Sequence, residues 1–360
     1  MITVKTFSHK QFGELEQDWK SLQFGKEMTV FQQYIWYYGL NEQYNKGCFG
    51  VGEHAEYFVA YKDGKAVMIA PIHIRKFGVE YKGLGTAAGI YIIGQWGFTD
   101  YLNFIYDEFD KKYIVEILAE IERKYPRLPL HFMFIREGNS FHKYLNEKYP
   151  DKCTGQTICV QTLPHDSFDE FHKTMTKYSR QNIRKAFNRE NKTNMEIHIE
   201  EMKTVSEQEA KEFFAIYLGR SSKKNVIDLK KDGLKNTVYK YFNKKYNDNL
   251  KAGLEKFNYI IYNMVNNPDS YMIGIYNEKK KIGFIYGIME GPDIWRNIIV
   301  CFDEEYSYYT PGRTAYFRYF RDILYADGKG TKMITDMSRG TERHKYELGG
   351  TEHYLVNYHI

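Results

Sequence analysis

Residues Tyr57–Ile74 read YFVAYKDGKAVMIAPIHI, and residues Tyr271–Ile288 read YMIGIYNEKKKIGFIYGI. The two stretches have the same length and align without a gap. Each consists of an apolar run, a polar turn and a second apolar run, which is the pattern of a β-hairpin. The first turn contains Asp63-Gly64, a favoured pair for a two-residue hairpin turn, and the second has the same length with weaker turn chemistry. We interpret the stretches as two copies of one unit, although two unrelated hairpins would give the same pattern.

The predicted elements around the two hairpins follow a similar order, and each hairpin precedes a strand with a tryptophan, Trp96 or Trp295. In the first half, the apolar pattern predicts a strand at Ile2–Phe7, helices at Ser8–Leu22 and Val30–Gln43, a strand at Tyr91–Phe104, a helix at Asp110–Lys124 and a strand at Leu130–Ile135. In the second half, it predicts a strand at Gln156–Leu163, helices at Phe168–Arg189 and Glu207–Leu218, strands at Met195–Glu201 and Ile294–Phe302, a helix at Pro311–Tyr325, and strands at Met333–Asp336 and Tyr354–His359. We expect domains at residues 1–153 and 154–360, with a helical insertion in the second at about 221–265.

The composition restricts the class of protein. Of the 360 residues, 43% are apolar and 27% are charged, so the chain can form buried cores and is not disordered. No apolar stretch approaches the roughly 20 residues that a bilayer span needs, and the first residues lack the pattern of a signal peptide. The sequence therefore predicts a cytoplasmic protein without a membrane span. The four cysteines form no CxxC pair and the histidines no HExxH motif, so we expect no metal.

The order of strand, helices, hairpin, strand, helix and strand resembles that of an N-acetyltransferase (GNAT) domain. Two copies in one chain resemble the tandem FemABX group and its CelD/BcsL-type relatives. The resemblance implies an α/β (α+β) fold of two tandem GNAT-like domains, each with a mixed, largely antiparallel sheet flanked by helices. It also implies that the C-terminal domain binds acyl-CoA.

The five residues Tyr309-Thr310-Pro311-Gly312-Arg313 are the predicted cofactor-binding segment. Thr310 is a good helix N-cap, Pro311 suits a first helical turn, and Gly312 allows a ligand to approach the backbone. The free N–H groups and the positive dipole end of a helix N-terminus favour phosphate. The FemABX-like group has a similar Pro-Gly, where GNAT domains bind the acyl-CoA pyrophosphate. An ordinary helix start would show the same residues.

The segment Ile334–Gly349 is similar to the strand-ending D…G…YK..(W/F)G pattern of the CelD-like and FemABX families. Asp336 and Lys345 match that pattern. A lysine held near a reacting carbonyl could stabilise the oxyanion of acyl transfer. Alternatively, Lys345 would be a solvated helix residue and Asp336 would cap the following turn.

Four residues are candidates for proton transfer during attack by an amine. Asp100, Asp336 and His344 are candidates to accept the amine proton. Tyr346 is the candidate to protonate the CoA thiolate, as Tyr does in many GNAT enzymes. No Ser-His-Asp or Cys-His arrangement has local support, so we expect direct transfer within a ternary complex.

The predicted helix at Phe168–Arg189 carries a stripe of basic residues at helical spacing. The stripe contains Lys173, Lys177, Arg180 and Arg184, and the last three are predicted to bind the substrate. Arginine can bind a diphosphate through two hydrogen bonds at once. A comparable Arg-rich helix opens the second domain of relatives, whereas the alternative is a solvated helix face.

The first half contains aromatic residues that are candidates for acceptor contacts. Trp36 and Tyr37 could stack on a nucleobase or line a sugar pocket, or belong to the core. Asp100 and Tyr101 resemble the G…DY element of relatives, and they could also form a turn.

From these observations we expect an acyltransferase that moves an acyl group from acyl-CoA to the amine of a dTDP- or UDP-linked amino sugar, for surface polysaccharide biosynthesis. The net charge of +5 fits an anionic small molecule as well as RNA, and no nucleic acid partner is expected. One alternative is a FemABX-type transferase that takes its acyl group from aminoacyl-tRNA and acts on a peptidoglycan precursor. Another is a non-catalytic glycan- or nucleotide-binding protein.

Overall fold

The computed structural model describes residues 1–49, 52–77, 79–81, 84–95, 97–231 and 258–360. Trp96 and most of the helical insertion predicted at about 221–265 lie outside the described residues. Packing divides the chain into two units. The first unit comprises Met1–Ile158 and Tyr354–Ile360, and the second unit comprises Cys159–His353. The first unit therefore takes its final strand from the other end of the chain.

The strands are β1 (Ile2–Ser8), β2 (Glu53–Lys62), β3 (Lys65–Arg75), β4 (Val79–Tyr81), β5 (Leu84–Thr86), β6 (Gly89–Ile92), β7 (Leu130–Arg136), β8 (Cys153–Thr162), β9 (Ile197–Met202), β10 (Ser270–Asn277), β11 (Lys280–Glu290), β12 (Ile294–Phe302), β13 (Ile334–Arg339) and β14 (Thr351–His359). The helices are α1 (Glu16–Leu22), α2 (Tyr34–Asn45), α3 (Lys111–Lys124), α4 (Ser140–Lys148), α5 (Phe168–Thr174), α6 (Lys177–Thr193), α7 (Glu207–Lys231), α8 (residues 258–266), α9 (Pro311–Arg318) and α10 (Arg343–Glu347).

The sheets of the two units have the same plan. The first follows the order β1-β2-β3-β6-β7-β14, and the second the order β9-β10-β11-β12-β13-β8. In each sheet one pair of neighbours is parallel, β6–β7 in the first unit and β12–β13 in the second, and the other described pairs are antiparallel. The predicted fold class, a mixed and largely antiparallel sheet with flanking helices in each half, is confirmed.

Both predicted hairpins form, as β2–β3 and β10–β11. Asp63 and Gly64, with φ of 51° and 81°, make the first turn. Positive φ at both central residues defines the turn type whose twist matches that of the flanking strands. The second turn has Glu278 at φ 50°, a conformation that glycine adopts with less strain.

The first unit has an apolar core beneath α3, as the helical periodicity of that segment predicts. Ile114, Ile117, Leu118 and Ile121 are buried there, against residues of β2, β3 and β7 such as Phe58, Ile72 and Phe132. Asp110 begins the helix, and its side chain accepts a hydrogen bond from the Lys112 N–H. Burial of this face stabilises the helix more than its intrinsic propensity does.

Several predicted elements have other bounds. The strand predicted at Tyr91–Phe104 is only β6, because Gly94 turns the chain with φ of 105°. The helix predicted at Phe168–Arg189 is two helices, α5 and α6, separated at Met175 and Thr176. The helix predicted at Pro311–Tyr325 is α9 followed by a π-helical segment, Tyr319–Leu324. The helix predicted to end at Leu218 continues to Lys231.

Candidate functional site

The parallel strands of the second unit separate soon after they begin to pair. β12 pairs with β13 at only three positions, the last being Arg296 with Asp336. β12 then continues from Asn297 to Phe302 along β11, while β13 continues along β8, with which its other edge pairs. We call the space along Asn297–Phe302 the wedge. Its edge of β12 lacks a neighbouring strand among the described residues, and such an edge can pair with an extended chain.

A β-bulge in β12 accompanies this separation. Tyr286 pairs with Ile299 and Gly287 with Asn297, so Ile298 is an extra residue. A bulge bends its strand and increases the local twist, which directs β12 away from β13. Gly287 is necessary for the close approach of the strands, since a Cβ there would lie 2.3 Å from the Arg296 carbonyl oxygen.

Asp336 anchors the closed end of the wedge. Its carboxylate accepts a 2.6 Å hydrogen bond from Arg296 Nη1 and a 2.8 Å bond from the Ser338 N–H. Arg296 also binds both carboxylate oxygens of Glu290. Asp336 is 1% exposed and Arg296 5%, so these contacts form a buried ionic network. They favour a structural role for Asp336, which the sequence predicted to be catalytic.

The predicted cofactor segment lies at the outer end of the wedge. A short 3-10 helix, Glu304–Tyr309, separates β12 from α9, so the helix does not follow the strand directly. Thr310 occupies the N-cap position with φ of 49°, and its side chain makes no capping hydrogen bond. A Cβ on Gly312 would lie 3.1 Å from the Phe302 ring, so this glycine brings the start of α9 against the end of β12. Pro311 and Gly312 are buried.

Arg313 and His344 meet at the same end of the second unit. Arg313 Nη2 donates a 2.5 Å hydrogen bond to Glu347 Oε2, which links α9 to α10. Burial, together with the positive charges of Lys345 and Arg313, lowers the pKa of His344 against the opposing effect of Glu342. His344 is therefore neutral near pH 7 and able to accept a proton.

The other two predicted residues of α10 already have protein partners. Lys345 is 5% exposed, and its ammonium donates to the carbonyl oxygens of Ser338 and Arg339 at 3.1 and 2.6 Å. It is therefore neither a solvated side chain nor a free oxyanion donor. The Tyr346 hydroxyl donates a 2.7 Å hydrogen bond to Glu352 Oε1.

The break between α5 and α6 divides the predicted basic stripe. Lys173 lies on α5 and pairs with Glu170 at 2.6 Å. Arg180 Nη1 donates to the carbonyl oxygens at the end of α5, including that of Met175 at 2.6 Å. The arginine thus caps α5 through Nη1, and its side chain is half-exposed. Lys177 and Arg184 are exposed on α6.

The four predicted residues of the first unit are buried together. Trp36 Nε1 donates to the Thr99 hydroxyl at 3.1 Å, and the Tyr37 hydroxyl lies 3.4 Å from the Ile93 carbonyl oxygen. Burial raises the pKa of Tyr37. Asp100 and Tyr101 are each 3% exposed. These contacts favour the core interpretation for Trp36 and Tyr37 and the turn interpretation for Asp100 and Tyr101.

A cavity of about 360 Å³ lies in the second unit, at the opposite end of β12 from α9. Its lining comes from β9, β10, β11, the π-helical segment and the connections beside them, namely Glu201, Lys203, Pro268, Asp269, Ser270, Tyr271, Met289, Pro292, Tyr319, Ile323, Leu324, Lys329 and Met333. None of the predicted site residues is among them. The cavity is therefore separate from the wedge.

The sequence reasoning missed Arg296 and Asn297. Both are buried, and both interrupt the apolar strand IWRNIIVCF. Two adjacent polar residues inside such a run were the available signal, because a buried polar side chain needs a partner.

Two findings concern metals and membranes. Among the described residues, no group of three or more His, Cys, Asp or Glu side chains is arranged to hold a metal ion. Within that same part of the chain, no helix combines the length and the apolar character that crossing a membrane requires.

Comparison with known proteins rests on three-dimensional structure. No protein-family model and no curated protein matches the sequence. A tandem GNAT protein from the clavulanic acid biosynthesis pathway is similar in structure, with a TM-score of 0.51 and 8% identity over 100% of this chain and 98% of that one. A conserved protein of unknown function from Bacteroides thetaiotaomicron VPI-5482 has a TM-score of 0.50 and 10% identity, covering 99% and 100% of the two chains. The chain therefore has the fold of a tandem GNAT protein.

Proposed function

We propose that this protein is an N-acyltransferase that uses acyl-CoA as donor, and that its acceptor is the amine of a dTDP- or UDP-linked amino sugar for surface polysaccharide biosynthesis. The wedge of the second unit, ending at the start of α9 within a tandem GNAT fold, is the observation that carries the proposal. The CelD/BcsL-type resemblance of the sequence supports this choice of acceptor.

The donor fits the wedge by its chemistry. The pantetheine arm of CoA contains two amides, which can hydrogen-bond to the unpaired edge of a strand as a peptide does. Such an arm would extend along Asn297–Phe302. Its phosphates would then reach the N-terminus of α9, where main-chain N–H groups and the helix dipole favour negative charge.

In the proposed reaction, the neutral amine attacks the thioester carbonyl carbon, a C–N bond forms and the C–S bond breaks. His344 takes the proton that the amine loses, because burial keeps its imidazole neutral. The departing thiolate is protonated by Tyr346 or by water. Lys345 and Asp336 have structural roles in the site, through the contacts described above. We give Asp100, which belongs to the first unit, no role in this step.

Release of free CoA thiol tests the proposal directly. The purified protein is incubated with a panel of acyl-CoAs and nucleotide amino sugars, and thiol appearance is measured. We expect release with at least one pair and an increased acyl-CoA KM in Gly312→Ala, because its Cβ would press on the Phe302 ring. Gly219→Ala is the control, since a Cβ there meets nothing within 4 Å. No release from any pair would refute the donor assignment.

The acceptor assignment has its own test. Arg184→Ala should raise the KM for the nucleotide sugar with little change in kcat if the exposed guanidinium binds diphosphate. Lys185→Ala, an exposed neighbour on the same helix, is the control. An unchanged KM in Arg184→Ala would argue against the diphosphate contact.

One observation favours the FemABX-type alternative. α7 is 25 residues long and extends beyond its predicted end, and FemABX-type transferases often carry a long helical arm that contacts tRNA. If aminoacyl-tRNA donates its acyl group and acyl-CoA does not, that alternative replaces our proposal. Calorimetric binding of a nucleotide sugar without binding of CoA would instead indicate the non-catalytic protein.

A further inference from the structure

Asn297 has a buried carboxamide that the protein leaves unsatisfied. The residue is 3% exposed, and neither Nδ2 nor Oδ1 has a hydrogen-bond partner among the described residues. A carboxamide can donate two hydrogen bonds and accept two. Burying it without any of them destabilises the folded state, so such a group in a folded protein calls for an explanation.

The unsatisfied groups lie at the closed end of the wedge. Asn297 is the first residue of β12 beyond its last pair with β13 and directly precedes the bulge residue Ile298. Its own main-chain carbonyl accepts a 2.5 Å hydrogen bond from the Ser338 hydroxyl. The Asn297 carbonyl oxygen therefore has a partner, whereas neither polar atom of its side chain has one among the described residues.

A second unsatisfied donor lies beside it. Trp295 Nε1 is fully buried and also lacks a partner among the described residues. A Cβ on Gly287 would lie 2.4 Å from this nitrogen, and Gly287 is the cross-strand partner of Asn297. Since side chains two residues apart in a strand share one face, Trp295 and Asn297 lie on the same face of β12, beside the space that Gly287 leaves open.

We propose that Asn297 and Trp295 are catalytic residues that bind the acyl group at the reacting carbonyl, an inference that rests on the proposed function. When the amine adds to the carbonyl carbon, the oxygen becomes negative and accepts from Asn297 Nδ2 and Trp295 Nε1. Asn297 Oδ1 accepts an N–H of the attacking amine. The oxyanion then collapses, the thiolate departs, and the amine proton passes to the base.

The test compares Asn297→Leu with Asn357→Leu. Asn357 is a buried asparagine of the first unit whose side chain is satisfied, by the Phe134 N–H at 2.9 Å and the Thr157 hydroxyl at 3.1 Å. In ligand-free protein, we expect Asn297→Leu to raise Tm by about 2 °C, because it removes unsatisfied groups, and Asn357→Leu to lower it.

Activity gives the second measurement. We expect kcat to fall on the order of 100-fold in Asn297→Leu and about 10-fold in Trp295→Phe, which removes the donor N–H together with part of the indole ring. A lower Tm in Asn297→Leu would show that the carboxamide is satisfied within the fold, and would overturn the inference. Full kcat in both variants would overturn it while leaving the acyltransferase intact. If the unmodified protein transfers no acyl group, the proposed function fails, and this inference fails with it whatever the Tm of Asn297→Leu.

Discussion

The two units share one strand order, but the side chains beside their parallel strand pairs differ. Aligned through their hairpins, His73 and Gly287 occupy the same position, and their cross-strand partners are Tyr91 and Asn297. In the first unit, the Tyr91 ring stacks on His131 at 4.6 Å and its hydroxyl donates to the Ala87 carbonyl oxygen at 2.6 Å. In the second unit, the same place holds a glycine and an unsatisfied amide.

The difference extends to the pairing itself. Ile90 pairs with Leu130 in the first unit, where the second unit has Arg296 with Asp336. Pairing continues to Tyr91 and His131 in the first unit and stops before Asn297 in the second. In the first unit, the Tyr91 and His131 side chains occupy the space between the parallel strands. In the second unit that space stays open, and the buried ion pair of Arg296 with Asp336 beside it costs desolvation energy.

Removing the ionic anchor should have the largest effect. Asp336→Leu leaves Arg296 without one of its carboxylate partners and should lower the free energy of unfolding by about 3 kcal/mol. The double variant Arg296→Ile with Asp336→Leu introduces the apolar pair of the first unit and should recover part of that loss. Urea unfolding measures both. A catalytic Asp336 would instead give lost activity at unchanged stability.

Filling the space at Gly287 should have the next largest effect. A Cβ there would meet the Arg296 carbonyl oxygen and the Trp295 indole, so Gly287→Ala should cost about 2 kcal/mol. Gly219→Ala, with no atom near its Cβ, is the control under the same urea titration. Equal stability of the two variants would mean that the strands adjust freely, contrary to our account of the bulge.

Low pH should destabilise the first unit, because His73 is buried there. Burial lowers the pKa of His73 against the attraction of Glu53, so the folded protein keeps the ring neutral at pH values where the unfolded chain protonates it. Its contribution to stability is thus present above about pH 6.5 and is lost as the pH falls toward the folded value, at up to about 1.4 kcal/mol per pH unit. His73→Gln should reduce this slope, as measured by hydrogen exchange in the first unit. The same substitution at half-exposed His198 is the control.

A substitution in the second hairpin turn should have the smallest effect on stability. Glu278→Gly should stabilise the protein by about 0.5 kcal/mol, because glycine adopts a positive φ without the strain that Glu278 bears. The first turn already has a glycine with positive φ, Gly64. Thermal unfolding measures it, with Lys279→Gly as the control. A loss of stability in Glu278→Gly would contradict the strain that we infer.

The sequence predicted the hairpins and most strands because alternating apolar residues and an Asp-Gly turn are local signals. It failed at Met175-Thr176, although the Thr176 side chain accepts from the Ser179 N–H and is a recognisable helix start. The capping contacts of Arg180 depend on that break, so the sequence did not predict them. The burial of Lys345 and of the unsatisfied polar atoms of Trp295 and Asn297 arises only when strands and helices pack, so no local sequence pattern predicts it.

The last strand of the first unit has a consequence for how the protein is made. Residues Tyr354–Ile360 belong to the first unit, and β14 pairs with β7 through contacts such as Val356 with Ile135. A ribosome releases these residues after every residue of the second unit. The first sheet therefore lacks the strand that covers one of its edges until the whole second unit has been synthesised.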